Sequence, residues 1–199
     1  ARSIQEIGFE CTHCGECCTS DGVDEHIATV FPDEVRALQT ETESWEDVAK
    51  PMPFGVTQDS TETFEWSLQT GECGSCVFYD ETADEGSCTR YADRPLICQT
   101  YPFTVELEEP ESDTEVVDRS GNVIAEECEG LGEDIAWSDA VALAKVLKQR
   151  ALTEATEERE VIASYRAGSD TAMGDVVYDS EGVKRADGTP IRTDSDGAR

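Results

Sequence analysis

A small α+β fold organised around cysteines is predicted by three features of this sequence: period-two apolar segments in its middle, one long helical stretch beyond them, and nine cysteines at clustered spacings. Ile4 to Phe9 is short and apolar enough for a strand or turn leading into the loop Cys11-Thr12-His13-Cys14-Gly15-Glu16-Cys17-Cys18, which Gly15 lets fold back on itself. Pro32 at a first helical position, with Val35 and Leu38 three apart, predicts a short helix over 32–39. Ser44 and Asp47 read as a capping box for a second brief helix carrying Trp45 and Val48. Phe64, Trp66 and Leu68 alternate with polar residues, the mark of a strand with one buried face. Phe103, Val105 and Leu107 alternate in the same way, and Val116-Val117 and Val123-Ile124 flank Ser120-Gly121-Asn122, a hairpin turn. The strongest helix spans 138–166. Ser138 is its N-cap with Asp139 behind, Val141, Leu143, Ala144, Val146, Leu147, Ala151 and Leu152 form its apolar stripe, and Thr153 is where it would break. Residues 168–199 are rich in Gly, Asp and Ser around one β-prone patch, Val176-Val177-Tyr178, and read as a hairpin or a disordered extension.

The length fits one domain, or one domain with a tail, and 38% hydrophobic with 7% aromatic residues makes for a modest core. The charge is extreme: 45 acidic against 15 basic residues leave a formal net charge of −30. Nucleic acid and anionic membrane surfaces both need Lys/Arg clusters, so neither is an expected partner. The acid is scattered rather than gathered in one tail, and the bases are 4 Lys and 11 Arg. That composition is expected of a halophile's cytosol, where concentrated salt screens self-repulsion. No run of ~18 apolar residues exists to span a membrane, and residues 1–6 carry no apolar signal-peptide core, so a cytoplasmic location is expected.

In a reducing compartment, nine cysteines point to metal rather than disulfides. Cys11, Cys14 and Cys17 recur every third residue, a spacing that turns several thiolates of one loop toward a common centre while amide N–H groups face the sulfurs. Adjacent Cys18 points elsewhere on an extended chain, which suggests a second or a bridged centre. Cys73, Cys76, Cys88 and Cys98 form a second group and Cys128 stands alone before Gly130. Eight thiolates make two four-thiolate sites, so one of nine is surplus. Three close thiolates with a remote fourth, from Cys98, Cys88 or Cys128, match a 4Fe–4S cluster better than zinc, which usually takes two separated Cys-x-x-Cys knuckles; Zn2+ is the alternative. His13 reads as a solvent-facing spacer and His26 as ordinary. Arg94, with Pro95 near the first turn of a helix that Asp93 or a neighbour would cap, stands beside the thiolates. There it can donate to sulfur or brace the loop, and bracing is favoured.

Taken together these motifs resemble the cysteine-cluster proteins named for Cys-x-x-Cys-x-x-Cys-Cys, which are described as chelating zinc or iron. Cys11, Cys14, Cys17 and Cys18 match the naming motif, with Gly15 where the family often has glycine. Cys76-Val77-Phe78-Tyr79 is similar to its Cys, apolar, Phe segment, and Cys88-Thr89-Arg90-Tyr91, Arg94-Pro95, Cys98 and Tyr101-Pro102-Phe103 to its second signature. Cys128-Glu129-Gly130 resembles a late Cys-x-Gly. The resemblance covers about residues 9–132, implies Cys11, Cys14, Cys17, Cys18, Cys76, Cys88, Cys98 and Cys128 as metal ligands, and leaves Cys73 as the spare. A related domain occurs in flagellin lysine N-methylases, but this chain has no glycine-rich loop for a methyl donor.

The organisation expected is therefore a metal-binding cysteine-cluster domain over 1–132, a helix over 133–167 packed on it, and an acidic tail over 168–199. The function read first is a cytosolic metal or iron–sulfur protein whose metal is mainly structural or supports an adaptor role toward a protein partner. The alternatives are electron transfer, or a metal-dependent enzyme related to protein lysine methylation. No Ser/His/Asp set is legible, two histidines leave little for acid/base work, and no activity is assigned.

Overall fold

At the N-terminus helical spacing overrides β propensity. Ile4 and Ile7, three apart, are both buried on one side of a helix, Arg2–Ile7, where a strand or turn was expected. The computed structural model describes residues 1–20, 26–52, 62–80, 82, 87–106, 117–165 and 176–191. Its chain divides into two compact units, one of residues 1–26 and 71–152, the other of residues 27–70 and 153–199.

In the first unit the strand Phe103–Val105 pairs antiparallel with Val123–Ala125, and that strand pairs with Asp118–Ser120. Register Ser120↔Val123 leaves Gly121-Asn122 as the two-residue turn, with Gly121 at φ 61. Val117 lies just outside the ladder and is exposed, while Val116 and Leu107 lie outside the described residues. Ile4, Ile7, Phe103, Ala125, Ala140 and Leu147 form the core, with Phe9 edge-on to Phe103 at 5.6 Å. Ala140 and Leu147 come from the long helix Trp137–Ser164. That helix starts one residue before the expected N-cap, because the Ala136 carbonyl already accepts from the amides of Asp139 and Ala140. It also runs through Thr153 without a break. Its apolar stripe packs only in the first half: Leu143 and Ala144 are partly buried, whereas Leu152 is 60% exposed.

The second unit carries the short helices Pro32–Leu38 and Trp45–Val48, each with the predicted start. Pro32 opens the first, and the Glu34 carboxylate accepts from the Phe31 amide at 3.0 Å. Asp47 accepts from the Ser44 amide at 2.7 Å in the capping box. Trp66–Leu68 pairs on both sides, with Thr29–Val30 and with Ala49–Pro51. This central position buries Trp66, Ser67 and Leu68 alike, where one buried face was expected. Phe64 precedes it at a bend and stays 43% exposed. The β-prone patch forms a hairpin, Val176–Asp179 with Gly182–Arg185, and its first strand also pairs in parallel with Glu62–Thr63. The fold class is α+β, as predicted: short, mostly antiparallel strands with a long helix from Trp137. No helix of the described residues is long and apolar enough to cross a membrane.

Candidate metal centre

All nine cysteines fall in the first unit, and none is in a disulfide. The loop of Cys11 to Cys18 ends in a 3₁₀ turn, Glu16–Cys18, closed by the Cys18 amide on the Gly15 carbonyl at 2.8 Å. Gly15 is left-handed at φ 79, and a Cβ there would lie 2.5 Å from Cε2 of Tyr79. Only glycine permits both the turn and the close approach of the ring. His13 is also left-handed, at φ 59, with its ring centroid 5.3 Å from that of Tyr91.

The two ends of this loop are pinned to the segments that bring the other thiols. Upstream, Phe9 bridges Leu131 and the Glu10 amide donates to the Gly130 carbonyl at 3.0 Å. A Cβ on Gly130 would sit 2.0 Å from the Glu10 carbonyl oxygen, so this seam demands glycine in Cys128-Glu129-Gly130. The Thr12 hydroxyl donates to Glu129 at 3.1 Å. Downstream, the Cys76 amide donates to the Cys18 carbonyl at 2.9 Å and the Ser20 amide to the Ser75 hydroxyl at 3.2 Å.

Cys76 is buried and Cys73 is exposed, in the turn that the Gly74 amide closes on the Gly71 carbonyl. Beyond Cys76, Tyr79–Asp80 pairs with Ser87–Cys88 so that Cys88 stands opposite Tyr79. The chain then makes a 3₁₀ turn, Tyr91–Asp93, and the helix Leu96–Thr100 that carries Cys98. Pro95, not Asp93, holds that helix's N-cap, because Asp93 is spent in the preceding turn. Arg94 lies between the two. Its guanidinium carbon is 3.7 Å from the Tyr91 ring centroid and its Nε donates to the Tyr91 carbonyl at 3.2 Å, so it braces the turn.

The thiols sense one another. The Cys17 and Cys18 sulfurs are 3.9 Å apart. The hydrogen bond from Cys18, helped by the Arg94 charge, pulls the exposed Cys17 thiol down to about 7 against the opposing effect of partial desolvation. The same bond pushes Cys18 up, and burial and the charges of Cys17, Cys76 and Cys98 add to the rise. Burial lifts Cys76 to about 11, with Cys88 and Cys17 contributing and the Phe78 amide opposing. Burial lifts Cys98 to about 12, with Cys76, Cys17 and Cys88 contributing and Arg94 opposing. Burial also raises Cys128, with Cys14, Cys17 and Cys11 adding and the Gly130 amide opposing. A bound cation reverses these rises, since it holds coordinated thiols deprotonated.

The donor set therefore fits a thiophilic metal in kind, with amides facing sulfur as iron–sulfur and zinc sites require. As the side chains lie, no three Cys, His, Asp or Glu among the described residues converge on one point, so metal would draw already neighbouring thiols together. The sequence alone did not single out Tyr79 and Tyr91, the rings against which Gly15 and Arg94 pack, or Ser75, which anchors Ser20. Tyr79 and Tyr91 close the runs Cys76-Val77-Phe78-Tyr79 and Cys88-Thr89-Arg90-Tyr91, and that was their one signal.

No curated protein and no solved structure matches the chain. A family model does match, over residues 10–129, that of the CxxCxxCC family described as "Putative zinc- or iron-chelating domain". The match begins one residue before Cys11 and ends one after Cys128, enclosing every thiol, and the chain belongs to the CxxCxxCC family.

Proposed function

We propose that this chain is a thiolate metal protein whose metal is structural, held by Cys11, Cys14, Cys17, Cys18, Cys76, Cys88, Cys98 and Cys128, with iron–sulfur favoured over zinc. One observation carries the reading: residues 11–20 hold four of the thiols and contain not one buried side chain. Fixing ten backbones costs ~10–20 kcal/mol, and hydrogen bonds at the loop's two seams return a few. Metal bound by four thiolates supplies ~10–16 kcal/mol, the right scale to order such a loop. The iron–sulfur preference rests on the three-residue recurrence of Cys11, Cys14 and Cys17 in one loop, with Cys128 held against its upstream end. When bound, the metal would add cross-links between segments that the two seams and the Gly15–Tyr79 contact already bring together. The protein's own part is to present the thiols, brace the turn through Arg94 and Tyr91, and direct the amides of Phe78 and Gly130 at sulfur.

The experiment is anaerobic purification with metal analysis, absorbance spectroscopy and far-UV circular dichroism before and after chelation. Absorbance near ~400 nm with iron and sulfide is the expected result. Stoichiometric zinc without that band would reject the cluster, and an unchanged fold after complete metal removal would reject the structural role.

A further inference from the structure

We infer that the ligand set divides between Cys17 and Cys18 into two adjacent four-thiolate centres, one of Cys11, Cys14, Cys17 and Cys128 and one of Cys18, Cys76, Cys88 and Cys98. The inference rests on the metal-binding reading above and deepens it. Its first support is the pair of separate seams. The upstream end of the loop is bonded to the Cys128 turn through Glu10 and Gly130, with Thr12 on Glu129 beside it. The downstream end is bonded to the second cysteine group through the Cys18 carbonyl and the Cys76 amide. Cys88 joins that second group through the ladder opposite Tyr79, whose own amide bonds the Cys76 carbonyl at 3.0 Å.

Cys17 and Cys18 stand at the junction of the two sets, their sulfurs 3.9 Å apart. Cys17 shares the three-residue spacing of Cys11 and Cys14 and completes the first set. Cys18, whose carbonyl carries the downstream seam, joins Cys76 and Cys88, and Cys98 follows on the next helix, Leu96–Thr100. Two tetrahedral thiolate sites consume eight sulfurs and leave exposed Cys73 over.

The test counts metal on the zinc-loaded chain by native mass spectrometry, which reads centres without reference to any activity. Two zinc ions are expected on the wild type and on Cys73→Ser. One is expected on Cys11→Ser, Cys17→Ser or Cys128→Ser, one on Cys76→Ser or Cys88→Ser, and none on a variant with one substitution from each set. Several members of each set are used so that the result does not depend on the folding of one variant. A wild type with a single zinc, or loss of both ions on Cys17→Ser with Cys128→Ser retaining one, would overturn the division while leaving metal binding intact. A wild type that binds neither zinc nor iron would remove the metal reading itself.

Discussion

Gly15→Ala puts the packing of the cysteine loop to its most direct test. Two costs combine at this position. A left-handed backbone at φ 79 costs a non-glycine residue ~1–2 kcal/mol. The added methyl would also stand 2.5 Å from Cε2 and 2.8 Å from Oη of Tyr79, so the ring or the turn must move, an overpacking cost of ~1–3 kcal/mol. The metal-loaded variant should lose ~2–5 kcal/mol, read as a lower urea midpoint with an unchanged slope. Tyr79→Ala provides the internal control. In that background the steric share of ~1–3 kcal/mol disappears and the backbone share remains, so the double-mutant cycle shows a coupling of that size. A loss below 1 kcal/mol, or a cycle with no coupling, would refute the claim that Gly15 is required by the close approach of Tyr79.

In the second unit, Lys184 and Asp179 are an ion pair at 2.6 Å with side-chain exposures of 5% and 3%, and the Trp66 indole donates to the same carboxylate at 2.9 Å. Asp179→Ala leaves a buried ammonium with Glu181 as its ion-pair partner and the Trp45 ring beside it, and should cost ~3 kcal/mol by urea denaturation; a loss under 1 kcal/mol counts against a buried network. Glu181 is held down at about 2, first by the Arg36 hydrogen bond. Its depressed carboxyl contributes stability that is present above about 4.5 and is lost as pH falls from there toward 2. Because Glu181 is 41% exposed the screened contribution is ~1 kcal/mol, and the gap between wild type and Glu181→Gln should shrink over that window; a pH-independent gap contradicts it. Arg94→Ala should cost ~1–2 kcal/mol, from a ring stack and one Nε–H bond. Arg94→Lys should recover less than half, and full recovery would mean that charge rather than stacking matters there. In a Trp137→Phe background, which leaves Trp45 and Trp66 of the second unit as the fluorophores, chelation should abolish order in the cysteine loop while the fluorescence is kept; quenching in step with metal loss would show that the second unit depends on the metal too.

The parts of the fold that were legible in the sequence are those whose signals are local. Pro32, the Ser44–Asp47 box and the Gly121-Asn122 turn act through neighbours within four residues, and each appears where it was placed. The failures are tertiary. Ile4 and Ile7 are β-prone by type, yet the core of Phe103, Ala125 and Leu147 rewards a helical pair. Trp66–Leu68 alternates in sequence but lies between two other strands, which buries Ser67 with its apolar neighbours. The hairpin after Val176 gains its place from Glu62 and Thr63, more than a hundred residues earlier, and no local pattern carries that pairing.

The candidate site was legible for a different reason. Packing leaves side-chain identity loose on an exposed loop, whereas a thiolate site fixes residue type and spacing together, so Cys11, Cys14, Cys17 and Cys18 stand out although none is buried. What spacing could not supply is which remote thiol approaches which end of the loop. That is decided by two backbone seams, one resting on Gly130, where a Cβ would strike the Glu10 carbonyl, and the other on the Cys18 carbonyl. A glycine in Cys-x-Gly reads as a turn in sequence, but here it also permits one backbone to lie against another. The chemistry of the site is thus written in its cysteines, and their grouping is written in the residues between them.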